Sequence, residues 1–228
     1  MKILRNKAFT LAEVLITLGI IGVVAAMTIP TLMTKYQKHV ALTRLKKTYS
    51  QLNQVFKLLN EEQGLEVMEG LPRNTVPTYI LPYYAGAKYY PPNSNHRLAM
   101  CYSPNHYYLG AKSSNAQYST LPVSGKKGAC GGYISTPFMP SHTASIELVD
   151  GTCIGFNYFA SEGISIFVDI NGSANPPNCL GKDLFFLKVD SNSSAVLPVE
   201  KWGMFDQTKF GAYKIINDGW RFAKDYPW

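Results

Sequence analysis

Residues 14–34 carry no charge, and Lys35 closes the run. At ~1.5 Å per residue, these 21 positions reach about 31 Å as a helix, enough to cross the hydrocarbon core of a bilayer. The run is apolar all round, as a helix surrounded by lipid or by other helices must be. One carboxylate, Glu13, stands at its start. Within a membrane helix such a group costs on the order of 2.5–3.5 kcal/mol, less near an end, and marks a function that awaits a partner.

Beyond Pro30 the pattern changes. Ala41, Leu45, Tyr49, Leu52, Phe56 and Leu59 recur at steps of 4, 4, 3, 4 and 3, which is one apolar stripe on a helix. Lys38, Arg44, Lys46, Lys47 and Lys57 fall mostly off the stripe. Gly64 follows Asn60-Glu61-Glu62-Gln63 as a helix stop. The pattern predicts one helix over about residues 9–62, apolar in its first half and amphipathic in its second. Gly19 and Gly22 weaken the first half, and Pro30 is a site of kinking or interruption. The second half needs a surface to cover its stripe.

Residues 65–143 are broken by Pro and Gly and show no sustained period. A short helix is expected within 76–90, limited by Pro77 and Pro82. Residues 93–95 and 113–115 read as loops. Nine of the 15 tyrosines lie between Tyr79 and Tyr118. From Ala144 onward the pattern turns to strands. Ile146 and Leu148 alternate up to Asp150-Gly151, and Cys153-Ile154 and Phe156 follow, so Asp-Gly marks a hairpin. Residues 164–169 and 183–189 predict two further strands, and 195–199 a fifth. The short loops between them imply an antiparallel meander, one face of which is the natural cover for the helix stripe. Residues 209–217 predict a short helix stopped by Gly219, with Trp220 and Phe222 returning to the core. The fold class is α+β: a long N-terminal helix packed on a C-terminal antiparallel β-sheet.

Composition sharpens this picture. The chain has 228 residues, 16% of them charged, and a net charge of +7. Lys2, Arg5 and Lys7 precede the apolar run, so the remainder carries 7 − 3 = +4. Much of the basicity is therefore a topology signal that holds the amino terminus in the cytoplasm. A nucleic-acid reading loses force, although Lys126 and Lys127 in the basic loop 124–132 leave that partner open. This loop lacks the spacing of a phosphate-binding P-loop.

The four cysteines, Cys101, Cys130, Cys153 and Cys179, all lie on the exported side of the apolar run. An even number there favours two disulfides. Three pairings are open, and nearness in sequence favours Cys101–Cys130 and Cys153–Cys179. With 28, 22 and 25 residues between them there is no C-x-x-C, which argues against zinc. The histidines His39, His96, His106 and His142 form no H-E-x-x-H, and neither G-x-S-x-G nor a dinucleotide fingerprint occurs. No enzyme is indicated. Val24-Ala25-Ala26 fits an ordinary secretory cleavage site, but its apolar region would hold Glu13 and exceed the usual ~7–15 residues.

The stretch Lys7-Ala8-Phe9-Thr10-Leu11-Ala12-Glu13-Val14-Leu15, running on to Pro30, closely resembles the amino-terminal signature of type IV pilin-like proteins: pilins, type II secretion pseudopilins and competence pilins. The resemblance implies cleavage between Ala8 and Phe9 by a prepilin peptidase, with methylation of the new Phe9 amino group. Glu13 then takes the place of the family's signature carboxylate, and Pro30 that of its helix-breaking proline. Ala8 departs from the usual Gly. The implied parts are a leader (1–8), a transmembrane or fibre-core helix (9–34), its amphipathic continuation (35–64), an irregular Tyr-rich region (65–143) and a β-sheet region with a short helix (144–228). In related fibres the backbone between such a Gly and the Pro unwinds on assembly, here 22–30.

The implied function is that of a structural subunit, a pilin or pseudopilin. It is stored in the bacterial inner membrane and assembled by an inner-membrane platform into a fibre with other pilin-like subunits. In the fibre, Glu13 pairs with the Phe9 amino group of a neighbour; the simpler account is a carboxylate that snorkels to the interface. The alternative function is a membrane-anchored or secreted binding module, a DNA-uptake pilin included, that does not itself polymerise. No cofactor is required. Some pseudopilins hold calcium in a carboxyl-terminal loop, and Asp169, Asn171 and Asp183 offer three oxygens here, but the EF-hand pattern fails. A turn held by Asx side chains accounts for the same residues.

Overall fold

The computed structural model describes residues 9–64, 72–91, 101, 106–109, 130–134, 144–159, 163–172, 175, 179–190, 192–202, 205–226 and 228. Helix α1 (Leu11–Gln63) is continuous through Pro30, and it is intact over 22–30. It ends where the pattern said it would. Gly64 adopts φ +80°, a conformation that costs glycine little, and its N–H bonds the Asn60 carbonyl at 3.1 Å. The chain divides into two compact units, Met1–Val40 and Ala41–Trp228, and α1 contributes to both.

Among the described residues of the second unit the sheet joins nine strands. Five of them form the expected meander: β4 (Ala144–Glu147), β5 (Cys153–Phe159), β6 (Gly163–Asp169), β8 (Leu184–Val189) and β9 (Val196–Pro198), each antiparallel to the one before. The Asp150-Gly151 hairpin is present. The Leu148 N–H bonds the Thr152 carbonyl, and the Asp150 carboxylate accepts the Thr152 N–H at 3.1 Å. Helix α3 (Gly211–Asn217) follows, and Trp220 and Phe222 return against the core.

The segment expected to be irregular supplies the strands the pattern missed. β1 (Lys88–Tyr90) pairs with β4 at one edge. β2 (His106–Leu109) and β3 (Cys130–Ile134) pair with each other, and β2 joins the sheet in parallel through β7 (Cys179–Leu180). The sheet is therefore mixed at that end. These strands run two to five residues and lie in or beside Gly- and Pro-rich sequence that shows no apolar alternation. The helical stretch anticipated within 76–90 is a π-turn (Val76–Ile80) and a 3-10 turn (Leu81–Tyr83), which continue from α2 (Pro72–Thr75), a turn of helix before that range. A small hairpin, β10 (Lys201–Trp202) with β11 (Phe205–Asp206), stands apart from the sheet. The expected loops at 93–95 and 113–115 and Lys126 and Lys127 lie outside the described residues.

The stripe on α1 is buried as its spacing requires, with Ala41, Leu45, Leu52, Phe56 and Leu59 inside and Tyr49 half-buried. Phe56 meets Phe156 with ring centres 6.5 Å apart, and Tyr49 meets Trp220 at 5.1 Å. In register with Ile154 and Phe156 stand Val168 and Ile166, then Phe185 and Leu187, so these six form the face toward α1. The opposite face is buried too: Phe167 packs edge-on to Phe186 at 4.8 Å beside buried Asn157, Ser165 and Asp169. A sheet covered on both sides reads as a near-continuous apolar run, as in Ile164-Ser165-Ile166-Phe167-Val168.

Polar contacts fix the helix on the sheet. Arg44 donates to the Ile170 carbonyl at 3.0 Å, Lys47 pairs with Asp150 at 2.7 Å, and the Asn53 side-chain oxygen accepts the Val196 N–H at 3.0 Å. The last of these occupies a backbone donor of β9 that would otherwise need a partner at the sheet edge.

Cys153 is joined to Cys101, not to Cys179, so the pairing favoured by nearness in sequence is wrong. Cys153 lies on β5 and Cys101 lies against β4, where its N–H donates to the Ser145 hydroxyl; the two are 52 positions apart in sequence. The meander brings them together and leaves Cys179 on β7, where it is disulfide-bonded as well. Among the described residues no cysteine is free.

Candidate functional site

Thr10 is the N-cap of α1, and Glu13 is the third residue inside it. The Thr10 N–H donates to Glu13 Oε2 at 2.8 Å. The Thr10 hydroxyl donates to the same oxygen at 2.8 Å and accepts the Glu13 N–H at 3.2 Å. This is a capping box, in which the cap and the third residue satisfy each other's backbone donors. Thr-x-x-Glu is its sequence signature, so Thr10 was visible in the sequence as a partner of Glu13, and the pattern reading passed over it.

The helix that follows offers apolar surface throughout. Phe9, Leu11, Leu15, Ile16, Leu18, Ile20, Ile21, Met27 and Leu32 are all exposed. Three of its hydroxyls bond within the helix: Thr17 donates to the Val14 carbonyl, Thr28 to Val24 and Thr34 to Pro30, at 2.9, 2.9 and 3.0 Å. Such back-bonding makes Ser and Thr tolerable in an apolar medium. By length and composition α1 is apolar enough to cross a membrane, and none of its most apolar window is buried. Ala8, named as the residue before the cut, lies outside the described residues.

The loop proposed for a cation is built on two buried carboxylates. Asp169 Oδ1 accepts the N–H groups of Asn171 and Gly172 at 3.2 and 2.9 Å, and Asp183 accepts the Cys179 N–H through Oδ1 and the Asn171 amide at 3.3 Å through Oδ2. These are the bonds of an Asx-held turn. Asp169 Oδ2 and Asn171 Oδ1 are buried without a hydrogen bond. Burial and then the charge of Asp183 push the Asp169 carboxyl up to about 7. Among the described residues, no group of three or more His, Cys, Asp or Glu could hold a metal ion.

Residues 3–29 match the family described as the prokaryotic N-terminal methylation motif. The match covers Arg5, Lys7, Glu13 and the apolar run as far as Ile29, in a helix that continues to Gln63. The chain fits a type IV pilin-like protein. No curated protein and no solved structure matches it. For a pilin-like chain the motif implies interaction with other pilus or pseudopilus components and with prepilin peptidase, and the apolar helix suggests membrane anchoring. It also suggests a structural rather than an enzymatic protein. The α+β arrangement, a long amino-terminal helix followed by a sheet, is pilin-like as well.

Proposed function

We propose that the chain is a precursor cut between Ala8 and Phe9 and assembled through its amino-terminal helix into a type IV pilus-like or type II secretion fibre. The observation that carries this reading is the methylation motif over residues 3–29 at the start of an apolar helix whose side chains are exposed. Before assembly the helix lies in the inner membrane with the leader in the cytoplasm, the orientation favoured by Lys2, Arg5 and Lys7. An inner-membrane platform then draws it out. Once out of lipid, the helices must bury their apolar surface against one another. Glu13 enters a medium of low dielectric, where only a paired, hydrogen-bonded charge is tolerable. The free amino group of Phe9 on a neighbouring subunit is the cation within reach of such packing. Pro30 permits local unwinding of the helix as subunits pack.

Amino-terminal mass spectrometry and shearing of the cell surface test this. The mature chain should begin at N-methylated Phe9 and appear in sheared fibres. Glu13→Ala should be cut normally and accumulate in the membrane without fibres. A mature chain beginning at Met27 would establish ordinary secretion instead, and normal fibres from Glu13→Ala would remove the pairing mechanism.

A further inference from the structure

A glutamate on a lipid-facing helix has three rotatable bonds, and ordering it carries an entropic cost. In this chain the carboxylate is already ordered. Both donors of Thr10 converge on a single oxygen, Oε2, while the Thr10 hydroxyl uses its acceptor side for the Glu13 N–H. That second bond commits the hydroxyl proton: with the N–H on its lone pair, the O–H points at the carboxylate. Bonds from neutral donors to an ionised carboxylate are among the stronger hydrogen bonds, and they offset part of the cost of holding the charge away from water. Among the described residues Oε1 makes no hydrogen bond.

We propose that Thr10 is a positioning residue for assembly: it clamps Oε2 of Glu13 and so presents Oε1 to the amino group of the incoming neighbour. This rests on the reading of Glu13 as the assembly anion. The clamp belongs to the single chain, so it is in place before subunits meet. The neighbour's amino group then encounters an ordered acceptor and need not order one.

Capping alone would also account for a Thr at this position, and substitutions separate the two roles. Thr10→Ser keeps the hydroxyl. Thr10→Val keeps the shape and removes it. Thr10→Gly removes it while remaining an acceptable N-cap, with little loss of helix stability. The experiment measures the fraction of each full-length variant cut before Phe9 and the amount recovered in sheared surface fibres, with Glu13→Ala alongside. Thr10→Ser should match wild type. Thr10→Val and Thr10→Gly should be cut normally and lose fibres about tenfold. Wild-type fibres from Thr10→Gly, with loss in Thr10→Val, would reduce Thr10 to a helix cap and overturn the proposal. Failure of cleavage in both variants would also overturn it, by placing Thr10 in peptidase recognition. Normal fibres from both variants while Glu13→Ala has none would refute the clamp and leave the pairing of Glu13 intact. Normal fibres from Glu13→Ala would instead remove the reading on which the clamp depends.

Discussion

Tyr226 ties the carboxyl-terminal segment to the turn at Gly181: its buried hydroxyl donates to the Gly181 carbonyl and accepts the Gly211 N–H at 2.9 Å. Phe222 packs against both Tyr226 and Trp228, with ring centres 4.9 and 4.7 Å apart, and the Lys182 ammonium sits 5.3 Å from the centre of the Trp228 ring. The last residues thus close over the turn between β7 and β8. Tyr226→Phe keeps the ring and strands a buried donor and a buried acceptor. It should destabilise the second unit by about 1–3 kcal/mol. Thermal unfolding of the detergent-solubilised chain checks this, and an unchanged midpoint would show that the hydroxyl contributes nothing.

The disulfide pairing has its own test. Digestion of unreduced protein should release a cross-linked peptide pair containing Cys101 and Cys153, and thiol labelling should find no free cysteine. The bond closes a long loop over the β4–β5 hairpin, so Cys153→Ser should cost roughly 2–4 kcal/mol. A Cys101–Cys130 peptide would contradict the placement of Cys101 against β4 and beside Cys153.

How far the sequence could be read followed from element length. The 53 residues of α1 repeat their pattern often enough for both of its halves to be legible. The meander was legible because each strand is apolar and bounded by a turn residue such as Gly151. β1, β2, β3 and β7 show no apolar alternation, and β2 joins the sheet beside β7, from a distant part of the chain, through parallel pairing that no local signal announces. Disulfide pairing failed for a related reason, since it depends on which strands are neighbours and not on spacing. Glu13 was legible as an isolated charge in an apolar run, and Thr10 only through the capping-box spacing.

Gly172 sits where the loop after β6 passes the hairpin tip. Its φ is +76°, and a Cβ there would lie 2.6 Å from the Gly151 carbonyl oxygen. Gly172→Ala combines a left-handed conformation that costs about 1–2 kcal/mol with a backbone clash that must be relieved by movement. A fall of at least 2 kcal/mol in unfolding free energy is expected from these two effects together. Wild-type stability would mean that the loop can shift freely away from the hairpin.

The same loop should not need a metal. Asp169 Oδ1 and Asp183 Oδ1 are directed at backbone N–H groups of the turn, and calcium wants six to eight oxygens. The unfolding midpoint should be the same in chelator and in excess calcium. A midpoint that rises with calcium concentration would assign the loop to the ion instead.

Asp169 makes the stability of the second unit depend on pH. Its carboxyl is fully buried, and burial together with the Asp183 charge raises its pKa from 3.8 to about 7. Below the unfolded value both states hold the proton, and the group is neutral in each. Between about pH 4 and pH 7 the unfolded chain releases the proton while the folded chain keeps it, so stability falls as pH rises. Above the folded value both states are ionised, and the loss is complete, on the order of a few kcal/mol. Asp169→Asn retains the side-chain oxygen that accepts the Asn171 and Gly172 N–H groups and has no proton to lose. It should remove this slope and make the chain more stable than wild type at pH 8. Denaturation of both proteins across pH 4–8 decides the matter. Parallel profiles would show that Asp169 is ionised throughout the range, and that the buried pair is held by partners other than a retained proton.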